Sequence, residues 1–173
     1  MLQRQLLQNL HRYRTTIPFF DSEPEMHPSD EAAWDKLASE NSICDIIMQD
    51  VDGQAMEVIE HILHHVSDVG LHYTFPEEWG LSRDSVLYVA MQEAIEAGYY
   101  DVAQYDDMRE DPEVYDRVLL QEFAYWIIST AWNLQEAYGP QGEEEWTIKN
   151  EADLQEKLPE FYEVYQRTVG RTM

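Results

Sequence analysis

The pattern of hydrophobic and polar positions predicts a chain built mainly from helices. Leu2, Leu6 and Leu10 recur at the spacing of one helical face, so residues 2–14 are predicted to form the first helix. The best strand signal is the apolar run at residues 43–48. Further helices are predicted over residues 32–39, 54–68, 83–97, 112–138, 151–157 and 159–169. The expected fold class is mainly α, or α+β with a small strand component, and the core is expected to be helical.

Residues that favour helix ends bound several of these helices. Asp111 precedes a proline and is predicted to cap the long helix, because an N-cap side chain accepts a backbone N–H. Ser82 and Asn150 are predicted N-caps in the same way. Gly98 is expected to follow the end of one helix, and Gly70 to close the helix at residues 54–68.

Chain length and composition indicate a single domain. The 173 residues are 44% hydrophobic, which is enough to bury a substantial core. We expect an N-terminal helix with an irregular segment over residues 1–28, followed by a compact helical body over residues 29–173. Cys44 is the single cysteine, so an intramolecular disulfide is excluded. No secretory signal is visible, and a cytoplasmic location is expected.

The excess of acidic residues limits the kinds of molecule that the protein is expected to bind. The chain has 35 acidic and 11 basic residues, which gives a formal net charge of −24. Such a surface repels nucleic-acid phosphate and anionic lipid, so neither partner is expected. The least charged stretch, residues 118–135, is too polar for a membrane span. A cation, a peptide or a basic protein partner suits this charge, and the oligomeric state stays open.

The helix predicted at residues 54–68 concentrates the candidate chemistry. One face carries three of the six histidines between carboxylates, and the opposite face is apolar. The members of the polar face are Glu57, His61, His64, His65 and Asp68. Since side chains four residues apart on a helix are neighbours, His61 and His65 are predicted to share one metal ion. The alternative interpretation is a solvated polar face without a ligand.

A second unusual feature is Glu122 in the long helix. It is the only charged residue between Arg117 and Glu136, and its helical neighbours are apolar or aromatic. An unpaired buried carboxylate is costly, so Glu122 is expected to have a cation, hydrogen-bond donors or a proton. With His61 and His65 it forms a three-residue ligand set for zinc. The alternative is that Glu122 pairs with a tyrosine, a tryptophan, a backbone donor or an arginine.

The order of these elements resembles that of the zincins, metallopeptidases in which a strand precedes the metal-binding helix and a second helix carries a glutamate ligand. Their H-E-x-x-H motif places two ligand histidines on one helix face, with the glutamate as general base. The corresponding window here is residues 61–65, and residues 119–126 are similar to the glutamate-helix run of some zincin-like families. The resemblance implies zinc bound by His61, His65 and Glu122.

The motif departs from the zincin pattern at the catalytic position. Ile62 stands in place of the general-base glutamate, and an isoleucine cannot take a proton from a metal-bound water. Whether the chain is an enzyme, which would then be a zinc-dependent hydrolase of metallopeptidase type, stays open. Additional candidate ligands near the three predicted ones are His64, Glu57, Asp68, His72, Glu60 and Tyr125.

Two functions are compatible with these observations. The first is a zincin-like protein that binds zinc through two histidines and one glutamate but lacks the general base of a peptidase. The second is a metal-free, acidic, α-helical protein that binds a basic protein partner. A chelator should destabilise only the first, and added salt should weaken the association of the second.

Overall fold

The computed structural model describes residues 2–20, 28–49, 53–139 and 145–171. Most of these residues are helical, which confirms the predicted mainly α fold class. The helices are α1 (Leu2–Arg12), α2 (Pro28–Glu40), α3 (Gln54–His65), α4 (His72–Thr74), α5 (Pro76–Trp79), α6 (Val86–Glu96), α7 (Pro112–Ala131), α8 (Leu134–Tyr138), α9 (Glu151–Lys157) and α10 (Pro159–Arg167). None of these described helices is both long enough and apolar enough to cross a membrane.

A short strand pair joins the N-terminal segment to the middle of the chain. β1 (Phe19–Phe20) runs parallel to β2 (Ile47–Met48), and the residues of the two strands pair in order. The predicted strand at residues 43–48 is therefore regular only at its end, and residues 43–46 precede the ladder. Residues 21–27 of the predicted irregular segment lie outside the described residues.

Polar side chains cap the helices where the sequence predicts them, with one exception. Asp111 accepts hydrogen bonds from two backbone N–H groups at the start of α7, and Asn150 accepts one at the start of α9. Gly98 has a φ of 73°, as expected for a glycine that follows a helix. The exception is Ser82, because the hydroxyl of Ser85 accepts the first-turn N–H and caps α6.

The long helix predicted at residues 112–138 is interrupted near its end. α7 stops at Ala131, Asn133 adopts a left-handed conformation with a φ of 57°, and α8 follows as a separate short helix. The side chain of Asn133 accepts the backbone N–H of Glu151 at 2.9 Å. Asparagine tolerates this conformation better than most residues, and here its side chain also holds the start of α9.

The helix that carries the histidines runs further than its sequence predicts. α3 ends at His65, but the chain continues through a π-helical segment, Val66–Leu71, directly into α4. Gly70 does not end the helix. It lies against α1 instead, because a Cβ at this position would be only 3.1 Å from Cγ of Leu6. This glycine therefore serves a close approach between two helices.

α7 lies at the centre of the core and has two different surroundings. On one side, Phe123 belongs to an aromatic cluster in which its ring is 5.8 Å from that of Trp146 and 6.2 Å from that of Phe161. On another side, α7 packs against α3. This packing brings Gln121 and Glu122 to the histidines of α3 and so positions the candidate site.

Candidate metal centre

The histidine face of α3 is buried. His64 is 0% exposed and His65 is 1% exposed, whereas Ile62 is 42% exposed. The interpretation of this face as solvated is therefore wrong. The face is covered because α3 packs against α7 and because Asp45, on the segment before β2, contacts the imidazole rings.

Asp45 is the acceptor at the centre of this face. Its Oδ2 lies 2.8 Å from Nδ1 of His64 and 3.6 Å from Nε2 of His61. Its backbone carbonyl lies 3.2 Å from Nε2 of His65, and its Oδ1 accepts the N–H of Ile46 at 2.7 Å. Asp45 is absent from the residues predicted from sequence, although an acidic residue inside an apolar run is a signal that could have identified it.

One cluster in the described part of the chain has the geometry of a metal site. Glu60, His64 and Glu122 each present one ligand atom, and these atoms lie within 4.8 Å of one another. Nε2 of His64 is 3.4 Å from Oε2 of Glu122. This nitrogen is buried and makes no hydrogen bond of suitable geometry with any described residue. Buried polar atoms are rarely left without a partner, so this position suits a proton or a metal cation.

The structure brings together a different set of residues from the one predicted. Glu122 meets His64, and the described residues do not place His61, His65 and Glu122 in one such cluster. Nε2 of His61 instead lies 3.5 Å from Oε1 of Glu57, and Nε2 of His65 faces a backbone carbonyl. The difference arises from the rotation of α3 about its axis, which turns His64 rather than its two neighbours toward α7.

Of the additional candidates, Glu60 and His64 belong to the cluster and the others lie outside it. Asp68 accepts a hydrogen bond from the neighbouring serine hydroxyl at 3.0 Å. Nδ1 of His72 accepts a backbone N–H at 3.1 Å. Tyr125 is adjacent to the cluster: its ring is 5.9 Å from that of His64 in an edge-on contact, and its hydroxyl accepts a buried amide N–H at 3.1 Å.

The electrostatics of the cluster follow from burial and from the excess of carboxylates. Burial, followed by the neighbouring Glu122, raises the pKa of Glu60 to about 7. Burial opposes a charge on His64, but the carboxylates of Asp45 and Glu122 outweigh it and raise the pKa of His64 to about 10. Burial also opposes ionisation of Asp45, but donors from His64 and a backbone N–H lower its pKa. The cluster therefore favours positive charge at its centre.

A further buried carboxylate extends the negative region. Burial raises the pKa of Asp68 to about 7. Burial, followed by the charges of Asp68 and Asp45, raises the pKa of the Cys44 thiol to about 12. The thiol is therefore protonated at neutral pH, and it is neither a reactive nucleophile nor a ready metal ligand.

The distance between His64 and Glu122 fits a small metal ion. Zinc binds imidazole nitrogen and carboxylate oxygen at about 2.0–2.2 Å, so two ligand atoms at a tetrahedral angle are roughly 3.4 Å apart. The distance between Nε2 of His64 and Oε2 of Glu122 is 3.4 Å. Three protein ligands would leave a fourth position for water or another ligand.

Comparisons with known proteins give no relative for this chain. No protein-family model, no curated protein and no solved structure matches it. The resemblance to zincins is thus a prediction that these comparisons neither support nor exclude, and the function has to be inferred from the site.

Proposed function

We propose that this protein binds one divalent metal ion, zinc, through Nε2 of His64 and the carboxylates of Glu60 and Glu122. The observation that carries the proposal is the buried Nε2 of His64, which lies 3.4 Å from Oε2 of Glu122, makes no suitable hydrogen bond with a described residue, and belongs to a cluster that also includes Glu60. Neutral imidazole nitrogen is the commonest metal ligand in proteins. The proposal retains the metal and the glutamate that were predicted from sequence and replaces the two predicted histidines.

Charge balance supports a divalent cation at this position. Two ionised carboxylates beside a neutral imidazole are neutralised by one Zn²⁺ ion. Without a cation, Glu60 keeps a proton near neutral pH because burial and Glu122 raise its pKa to about 7. A metal ion would displace protons from Glu60 and His64, so its affinity is expected to increase with pH.

The donor atoms support zinc rather than calcium or magnesium. Calcium takes about six to eight oxygen ligands, and magnesium demands a near-ideal octahedron and keeps several waters. One imidazole nitrogen with two carboxylate oxygens suits zinc, which also binds most nitrogen and oxygen sites more tightly than manganese or iron(II) does. The open fourth position would let the ion exchange one external ligand.

Peptidase activity is not part of the proposal. Ile62, at the position of the zincin general base, has no group that transfers a proton, and it is 42% exposed. The proposed function is therefore metal binding, with the zincin relationship kept as a prediction. The alternative of a metal-free acidic protein with a basic partner is a separate prediction, which salt-dependent association would test.

Titration of the chelator-treated protein with zinc tests the proposal. We expect one Zn²⁺ per chain by calorimetry, together with a rise in melting temperature, because a ligand that binds only the folded state stabilises it. Glu122→Gln should reduce the affinity by more than the roughly 10–100-fold that is typical of losing an outer-shell partner. Glu113→Gln, an exposed substitution in the same helix, is the control and should bind as the unmodified protein does.

Two results would overturn the proposal. One is a protein that binds no stoichiometric zinc and melts at the same temperature with and without it. The other is a Glu122→Gln variant with unchanged affinity. In the first case His64 holds a proton between Asp45 and Glu122, and the cluster is an ion pair within the fold.

A further inference from the structure

The carboxylate of Asp45 is held in a fixed position beside the proposed metal centre. Asp45 lies two residues before β2, whose first residue, Ile47, donates its backbone N–H to the carbonyl of Pro18 at 2.9 Å. The Oδ1 atom of Asp45 accepts the N–H of Ile46 at 2.7 Å, which leaves Oδ2 directed at His64 at 2.8 Å. The strand pair and the local hydrogen bond thus fix the acceptor that faces the imidazole.

This contact determines which ring nitrogen of His64 carries the hydrogen. An ionised carboxylate only accepts hydrogen bonds, so Nδ1 of His64 must be the donor to Asp45. In the neutral ring the lone pair then lies on Nε2. Nε2 is the atom that lies 3.4 Å from Oε2 of Glu122, and His64 forms one cluster with Glu122 and Glu60.

The side chain of Gln121 is compatible with this assignment once its amide is turned over. As placed, the amide nitrogen of Gln121 lies 3.0 Å from the same Nδ1 of His64, and two N–H donors cannot share a hydrogen bond. The oxygen and nitrogen of an amide exchange places by rotation, so the carbonyl oxygen of Gln121 can face the ring as a second acceptor. A ring N–H with two acceptors is more firmly oriented than one with a single acceptor.

We infer that Asp45 is a positioning residue, which holds His64 in the Nδ1–H form and thereby makes Nε2 its metal-binding atom. The inference rests on the proposed zinc site. Ligand histidines usually donate their other ring N–H to a carboxylate or a carbonyl, and this contact fixes both the tautomer and the ring orientation. Asp45 would act through His64 without touching the metal ion.

Replacement of Asp45 by asparagine is the most specific test. The N–H of Ile46 retains the amide oxygen of Asp45→Asn at the Oδ1 position, so the NH2 group faces Nδ1 as a donor. This contact favours the tautomer with hydrogen on Nε2 and blocks the metal-binding atom. We expect zinc affinity to fall about 10–100-fold, measured by competition with a chelator of known affinity. Glu57→Gln is the matched control, because it removes one carboxylate that contacts His61 and leaves His64 untouched. Its affinity should change little.

Nitrogen NMR of the His64 ring supplies a readout that a purely structural role would not move. In the zinc-loaded wild-type protein we expect Nδ1 to carry hydrogen and Nε2 to show the shift of a metal-bound nitrogen. Coordination through Nδ1 would overturn the inference, even if the Asp45→Asn variant does not fold. So would a metal-free wild-type protein in which Nδ1 carries no hydrogen.

The two proposals fail in different ways. A wild-type protein that binds no zinc overturns the metal centre itself. A wild-type protein that binds zinc, together with an Asp45→Asn variant of equal affinity, overturns only the role of Asp45. A loss of affinity shared equally by Asp45→Asn and Glu57→Gln would also overturn it, because a general effect of negative charge would then be sufficient.

Discussion

The aromatic core and the candidate metal centre lie on neighbouring faces of α7 but satisfy their polar groups differently. In the aromatic core, the indole N–H of Trp146 donates to the hydroxyl of Thr130 at 2.8 Å. The indole N–H of Trp79 donates to the hydroxyl of Thr168 at 2.9 Å. Both indole N–H groups thus have partners within the fold, so packing and hydrogen bonding are sufficient to explain their positions.

In the candidate metal centre, polar groups are buried without such partners. Nε2 of His64 is buried without a suitable hydrogen bond to a described residue, and it lies 3.4 Å from a carboxylate oxygen of Glu122 in a cluster that also includes Glu60. Burial raises the pKa of Glu60 to about 7, which means that its charged form is disfavoured there. Burying an unpaired nitrogen and a carboxylate destabilises the fold, so the presence of these groups indicates a ligand-binding role. The contrast between the two regions is therefore the main support for a functional site.

Substitution of two adjacent residues of α7, Phe123 and Glu122, should distinguish these regions. The largest expected effect on stability is that of Phe123→Ala. Phe123→Ala removes the ring at the centre of the aromatic cluster and should cost about 3–5 kcal/mol of unfolding free energy. The zinc affinity of the folded fraction should be unchanged. Denaturant titration of the metal-free protein measures the first quantity, and zinc titration under native conditions measures the second.

Glu122→Gln is the reciprocal variant. It should leave the unfolding free energy of the metal-free protein closer to the wild-type value than Phe123→Ala does, while it removes most of the zinc affinity. If Phe123→Ala does not fold, Phe123→Leu is the milder substitution on the same side. The comparison fails if both residues affect stability and zinc affinity in the same proportion.

The second prediction concerns the pH dependence of the metal-free protein. The pKa of His64 is raised from 6.5 to about 10, so its stabilising contribution is complete below pH 6.5 and is lost as pH rises toward 10. The pKa of Glu60 is raised from 4.5 and that of Asp68 from 3.8, both to about 7. Their contributions are likewise lost as pH rises, between about 4 and 7. These three groups should therefore make the metal-free protein less stable as pH rises from about 5 to 10, whereas burial lowers the pKa of His65 and of His72 and opposes this trend below about pH 6.5.

Bound zinc should oppose this trend. Deprotonation of the ligands strengthens metal binding, so saturating zinc is expected to stabilise the protein more at pH 8 than at pH 6. Melting temperatures across this range, with chelator and with zinc, measure both effects. Glu60→Gln, which stays neutral, should flatten the decline of the metal-free protein below pH 7. A metal-free protein that becomes more stable from pH 6 to pH 9 would contradict the assignment.

The sequence predicts the helices better than it predicts the site. Helix positions depend on local spacing and capping, and Asp111, Asn150 and Gly98 have the predicted roles at helix ends. Ligand choice depends on how two helices are rotated against each other. That rotation is decided by packing over the whole interface, so His64 rather than His61 meets the second helix.

Contacts between residues distant in sequence are the least predictable from the sequence. Asp45 approaches His64 across 19 positions of the chain, and no local pattern joins the two. Glycine is typical of helix ends, but Gly70 lies within a helical segment. Its lack of a side chain allows α1 to approach closely. In both cases the determining contact is tertiary, and a single sequence contains little information about it.

The smallest expected effect tests the zincin resemblance against the observed cluster. Ile62→Glu introduces the glutamate of the H-E-x-x-H motif at a position that is 42% exposed, so it should change stability by about 1 kcal/mol or less. Residues two apart on a helix point about 200° away from each other, so this glutamate would lie on the far side of α3 from His64. We expect unchanged zinc affinity and no gain of peptidase activity toward a fluorescently labelled unfolded protein. Ile62→Gln is the matched control without a titratable group. A zinc-dependent gain of cleavage in Ile62→Glu alone would mean that His61 and His65 bind the ion, as in the zincin motif, and that the cluster at His64 serves the fold.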